Sequence, residues 1–172
     1  KDTRAFVSTA QEVSCSLDIV ETVIRSNEKR KGQMADRIIS SCDNSVRGKK
    51  IAVLGLTFKP NTNDMRESPS IEIIQNLVSA GAEIQVYDPE GMVEAKEMRA
   101  FDGVHWCDGA YETMENASLL IIITEWNEFR ALDLERVRSL LKTPIIIDFR
   151  NIYEPEEMEF AGFKYVCIGR PR

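Results

Sequence analysis

The chain has 172 residues, 43% of them apolar and 29% charged, and a formal net charge of −6. Its length suits one good core, or one domain with an appended helix, and basic residues scattered among acidic ones argue against nucleic acid or an anionic membrane as the main partner. No apolar run approaches the ~20 residues that cross a bilayer, no signal peptide is visible, and the four cysteines are too widely spaced for a zinc knuckle or a Cys-x-x-Cys pair. We therefore expect a soluble, cytoplasmic protein with reduced thiols and no metal.

From about Leu17 to Cys42, the apolar residues Leu17, Val20, Ile24, Met34 and Ile38 fall on one stripe of a long amphipathic helix. Such a helix either packs on its own domain or serves as a connector or subunit interface. Asn44-Ser45-Val46-Arg47-Gly48 breaks the pattern, and Lys49-Lys50-Ile51-Ala52-Val53-Leu54 reads as a buried parallel strand. A long polar loop, Gly55 to Ser70, leads to a helix that Ser68 and Pro69 start and Gly81 ends. Beyond it we expect a strand at Glu83–Tyr87, a helix at Glu90–Arg99, a strand at Val104–Trp106 and a short helix at Ala110–Asn116. The central strand Leu119–Thr124, a helix at Leu134–Leu141 and strands at Pro144–Asp148 and Lys164–Ile168 complete the chain. Strand and helix alternate, so the expected class is α/β, a Rossmann-like parallel sheet with helices on both faces behind a long helix. The boundary falls between residues 1–47 and 48–172.

The dinucleotide fingerprint Gly-x-Gly-x-x-Gly is absent. Only Gly55 remains, and the loop is far longer than that turn. In open α/β sheets ligands lie beyond the carboxyl ends of the strands, where this loop carries Phe58, able to stack, and Lys59, able to meet a phosphate or sugar oxygen. Arg66 either clamps a phosphate or pairs with Asp64 or Glu67. Arg150 leaves the strand before it at the same edge of the sheet, as a ligand contact or as a salt bridge to Glu154 or Glu156. Asp88 occupies the place of a ribose-holding carboxylate, but before Pro89 it reads better as a turn cap. His105 has no neighbour that suggests a base or a metal. On spacing alone these residues describe a nucleotide- or anion-binding domain with no paired nucleophile and base.

Several segments together are more specific: Lys1-Asp2-Thr3-Arg4-Ala5, Ser26-Asn27-Glu28, Gly55-Leu56-Thr57-Phe58-Lys59-Pro60, Asn63-Asp64-Met65-Arg66-Glu67-Ser68-Pro69-Ser70, Tyr87-Asp88-Pro89 and Asp148-Phe149-Arg150-Asn151. With them the chain resembles the nucleotide-sugar dehydrogenases, the UDP-glucose/GDP-mannose dehydrogenase family, over nearly its whole length. The resemblance implies an N-terminal NAD-binding domain upstream, a central helix that builds a homodimer, and a C-terminal domain that binds the UDP-sugar. It also implies that the catalytic cysteine, in a Cys-Phe-x-Lys-Asp motif ending at Lys1-Asp2, falls just before residue 1, so that the chain alone is inactive. Asp2 then matches the catalytic aspartate, Phe58, Lys59 and Arg150 match substrate contacts, and Lys1 and Arg66 match contacts to NAD. The implied reaction oxidises UDP-glucose to UDP-glucuronate, an input to surface polysaccharides, in two hydride transfers to NAD⁺ through a thioester. UDP-N-acetylmannosamine and GDP-mannose remain as other substrates, and a non-catalytic nucleotide-binding module remains as a reading of another class.

Overall fold

The computed structural model describes residues 2–170. Two helices open the chain, α1 (Asp2–Glu12) and the long α2 (Asp18–Ser41). The sheet strands are β1 (Lys50–Leu54), β2 (Glu83–Tyr87), β3 (His105–Trp106), β4 (Leu119–Ile122), β5 (Ile145–Asp148) and β6 (Lys164–Cys167). All pair in parallel, in the order β3-β2-β1-β4-β5-β6. The order reverses between β1 and β4. That reversal opens a crevice at their carboxyl ends, where the loops after them diverge to opposite faces.

Continuous apolar runs form the central strands because both faces of the sheet are covered: all of β4 and all of β1 after Lys50 are buried. Successive side chains still alternate between two cores. Ile51, Val53, Leu119 and Ile121 face one layer with Ile73 and Leu77, and Ala52, Leu54, Leu120 and Ile122 face the other with Phe129 and Val137. The first layer holds α3 (Pro69–Ser79), started by Ser68, whose side chain accepts from the Ser70 amide, with Pro69 at the first position. The second holds α5 (Ala110–Met114), α6 (Asn127–Arg130), α7 (Leu134–Leu140) and α8 (Pro155–Phe160).

The last turns of α2 belong to the first layer, because Ile38 and Cys42 are buried among the residues of β1 and α3. The end of its apolar stripe, Met34 and Ile38, is thus used for packing on its own sheet. Helix α1 was not legible as a helix in the sequence: only Val7 and Ala10 are buried, too few to mark a period. For the same reason α6 and α8 are additions to the expected elements, and the helix expected over Glu90–Arg99 is two pieces, α4 (Met92–Lys96) and a 3₁₀ turn at Arg99–Phe101.

Candidate functional site

The site starts at Gly55, the first residue after β1. Its φ of +89° belongs to the region glycine enters freely, and a Cβ there would lie 2.6 Å from both the Cβ and the amide nitrogen of Thr124 at the end of β4. The two chains therefore touch at the switch point. From there the loop is tied down from within. Thr124 Oγ1 donates to the Thr57 carbonyl at 2.6 Å, Ser68 Oγ and Ser70 Oγ both donate to the Leu56 carbonyl at 2.6 Å, and the Phe58 amide donates to the Asp64 carbonyl at 2.9 Å. Met65 is buried beneath it. A loop of this length would cost conformational entropy if it were free; these bonds make it a fixed platform for Phe58 and Lys59.

Asp88 is the second anchor. It is 1% exposed, and Oδ2 accepts from the amides of Leu56 and Thr57, from Thr57 Oγ1 and from Trp126 Nε1, while Oδ1 accepts from the amides of Glu90 and Gly91. Hydrogen bonds to a charged group contribute about 1.5–3 kcal/mol each, so the carboxylate holds the loops after β1, β2 and β4 together. Its acceptor capacity is filled by the protein, which bears out its reading as a cap.

Asp148 does the same at the end of β5, accepting from the amides of Arg150 and Ile152 and from the Tyr165 hydroxyl at 2.6 Å. Burial, with that bond, pushes the Tyr165 phenol well above its usual range. The Arg150 backbone is fixed in this way, and its guanidinium is held by Glu125, Nη2 to Oε1 at 2.7 Å and Nε to Oε2. Neither Glu154 nor Glu156 is its partner. Glu154 pairs with Arg170 instead.

Phe58, Lys59 and Arg150 converge on one cavity of ≈ 470 Å³, floored by Ile123 and Phe149 and walled on one side by Asn27, Arg30, Lys31 and Met34 of α2. That size suits a small organic ligand. Its lining holds the cations Arg30, Lys31, Lys59 and Arg150 against the single carboxylate Glu67, a local positive field on a chain of net charge −6. Phe58 is 49% exposed and presents its ring beside these charges. Arg30 and Lys59 make no ion pair among the described residues.

Arg66 is not among the lining residues. It pairs with Asp64 through two bonds, Nε at 2.8 Å and Nη2 at 2.7 Å, and is largely exposed, so one of its two sequence alternatives is met within the loop. Lys1 and the side chain of Asp2 lie outside the described residues. The contribution of α2 was missed in the sequence, although Asn27, Arg30, Lys31 and Met34 are spaced for one helix face. Among the described residues no cluster of possible metal ligands occurs, and no helix is long and apolar enough to cross a membrane. Burial pushes the thiols of Cys42, Cys107 and Cys167 up, and Cys15 alone is exposed. The three buried thiols are therefore poor nucleophiles.

Residues 52–155 match the model of the UDP-glucose/GDP-mannose dehydrogenase family, UDP binding domain. The chain belongs to that family. Within it, the chain is 49% identical to the UDP-glucose 6-dehydrogenase of Rhizobium meliloti (strain 1021), over 99% of its own length and 39% of that protein's. It thus spans about two fifths of the curated relative. Family members of known structure superpose on it: a UDP-glucose dehydrogenase from the hyperthermophilic archaeon Pyrobaculum islandicum, at a TM-score of 0.77 and 28% identity over 96% of this chain and 35% of that one, and a UDP-D-ManNAc dehydrogenase from Pyrococcus horikoshii, at 0.73 and 27% over 94% and 36%. The matched segment begins inside β1 and includes the loop, Asp88 and Arg150, which places the cavity floor and two of its four cations, Lys59 and Arg150, within this family's UDP-binding domain.

Proposed function

We propose that the chain is the central helix and UDP-sugar-binding part of an NAD-dependent UDP-glucose 6-dehydrogenase. The observation that carries this reading is the convergence of Phe58, Lys59 and Arg150, from loops 92 positions apart at the extremes (150 − 58), on one basic cavity at the switch point. Such a cavity fits a diphosphate: Glu125 takes Nε and Nη2 of Arg150 and leaves its Nη1 edge to meet a ligand oxygen, Lys59 and Arg30 supply further positive charge, and the Phe58 ring offers a face to a base or sugar. The substrate then lies against α2 and the loop. Its reacting end faces a second domain, upstream, that carries the catalytic cysteine.

The residues present do not fit NAD at the switch point. The glycine turn is replaced by the anchored loop, and the Asp88 carboxylate already accepts six hydrogen bonds. In this reading the cofactor, which accepts the hydrides, is held by the upstream domain, and exposed Arg66 reaches it from this side, exchanging Asp64 for a phosphate. Lys1 serves NAD likewise, and Asp2 is the catalytic aspartate that positions water for thioester hydrolysis. A homodimer forms through α1 and α2, whose Phe6, Ile19 and Val23, with Val13 in the turn between them, leave apolar surface exposed. A cytoplasmic location and a product destined for surface polysaccharide belong to the same reading.

The comparable likeness to the UDP-D-ManNAc dehydrogenase supports UDP-N-acetylmannosamine as the second substrate reading. Two measurements decide. Calorimetry of UDP into this chain should show binding that Lys59→Ala weakens roughly tenfold, as expected for about 1.4 kcal/mol; heat unaffected by that substitution would remove the site assignment. The native gene product containing this chain should then form NADH with UDP-glucose in preference to UDP-N-acetylmannosamine and GDP-mannose. No NADH with any of them would leave a binding module.

A further inference from the structure

At the rim of the cavity four charged side chains tie the loop to both N-terminal helices. Arg4 of α1 donates to Glu28 Oε1 at 2.7 Å and lies 3.3 Å from Glu67 Oε1, while Lys31 of α2 lies 3.4 Å from Glu28 Oε1 and 3.7 Å from Glu67 Oε2. Each carboxylate meets both cations, so the four close into a ring. The ring borders a smaller hollow of ≈ 210 Å³, and Asn27, Lys31, Phe58 and Glu67 line both that hollow and the cavity.

As a source of stability this ring is weak. Arg4 is 48% exposed and Glu67 40%, and ion pairs so open to water contribute little. Glu67 nevertheless sits at φ +62°, a region where a side chain beyond Cβ is disfavoured. The other non-glycine residues with positive φ among those described are Ser14, Asp43, Asn44, Asn61, Asn116 and Asn151, all with short polar side chains that tolerate it. A strained backbone kept for pairs that barely stabilise points to geometry as the thing retained.

We propose that Glu67 is a positioning residue: through Arg4 it sets where α1 stands against the Phe58-Lys59 loop, and so where the Asp2 end of α1 stands relative to the bound sugar nucleotide. The role of Asp2 rests on the function proposed above; the placement of α1 does not. Packing of Val7 and Ala10 holds α1 to its surroundings, but within the ring only the Arg4–Glu67 pair joins it to the loop. Glu67 also lines the cavity, whereas Arg4 does not, so loss of the contact from the Arg4 side should act on turnover and leave nucleotide binding in place.

The test uses Glu67→Gln, Glu67→Gly and Arg4→Met. In this chain, hydrogen exchange of the α1 amides should quicken at least fivefold in each variant, with the β1 and β4 amides unchanged, and the UDP affinity of Arg4→Met should stay within twofold of the wild type. Glu67→Gly removes the backbone strain, so its melting temperature should equal or exceed that of the wild type while α1 still loosens. In the native gene product, kcat should fall about tenfold in each variant, with KM for UDP-glucose within twofold in Arg4→Met, Arg4→Lys should retain most of the rate, and Arg4→Met/Glu67→Gln should be no slower than either single change. Unchanged α1 exchange, a loss confined to KM, or multiplying losses in the double variant would each overturn the proposal. A wild-type product that forms no NADH overturns the functional reading instead, and the exchange measurement still decides whether the ring places α1.

Discussion

Arg150 and Glu125 form a two-bond pair across the carboxyl ends of β4 and β5, with Arg150 Nη2 2.7 Å from Glu125 Oε1 and Nε bonded to Oε2. The pair orients the guanidinium at the cavity wall before any ligand arrives, which lowers the ordering cost of binding. Arg150→Ala should weaken UDP binding about 10- to 100-fold, the equivalent of about 1.5–3 kcal/mol for a charge-assisted contact. Arg150→Lys should restore only part of it, because a point charge cannot reproduce the fork. Titration calorimetry on the three proteins checks the order.

The same pair makes stability depend on pH. The hydrogen bond from Arg150 holds the Glu125 carboxyl below its ordinary value of 4.5, against a smaller upward push from burial. With the folded value below the unfolded one, the unfolded chain binds more protons in that range, so the contribution is present above about pH 4.5 and fades as pH falls through the folded value. Both side chains are a quarter to a third exposed, which limits the effect to under about 1 kcal/mol. Glu125→Gln should therefore cost that much in urea unfolding at neutral pH and less at a pH well below 4.5. An equal cost at both would show that packing, not charge, is lost.

Gly55 and Gly48 both have positive φ, yet they should respond differently to alanine. At Gly48 a Cβ would meet nothing within 4 Å, whereas at Gly55 it would meet the Thr124 backbone at 2.6 Å. Gly48→Ala should cost about 1–2 kcal/mol, the conformational term alone. Gly55→Ala must also part β1 from β4, and should cost about 3 kcal/mol or more and abolish UDP binding with it. Thermal melts and calorimetry on the pair separate the two contributions.

Four exposed large apolar side chains lie on the opening helices and the turn between them, Phe6, Val13, Ile19 and Val23, with Ile19 82% accessible. If these helices build a dimer, Ile19→Asp with Val23→Asp should shift the native gene product from dimer to monomer in sedimentation. The melting temperature of this chain should stay within a few degrees, since both positions are already in water. A wild-type protein that stays monomeric at all concentrations would remove the dimer.

The cavity residues were legible to different depths. Phe58, Lys59 and Arg150 could be placed at one edge from strand order alone, because each follows a strand whose apolar run is unmistakable. Arg66 could be given a local partner, since Asp64 is two residues away. Glu125 could not be seen as the partner of Arg150, 25 residues on: that depends on β4 and β5 being neighbours. Three of the cavity residues of α2, Asn27, Arg30 and Lys31, were hidden by a stronger signal, the apolar stripe that explained the helix without them; Met34 belongs to that stripe.

By itself the sequence determined the strands, the longer helices after the first, and the family. Hydrophobic periodicity is a local property, and six of its runs became the six strands; the loop from Gly55 to Ser70 and the Lys1-Asp2 segment marked the family. Tertiary structure decided which charges face each other. It set Asp88 and Asp148 as anchors rather than ligand contacts, gave Arg150 to Glu125 and Glu67 to Arg4, and brought α2 to the cavity. Those choices depend on strand order and helix placement, which bring together residues that no local pattern in the chain connects.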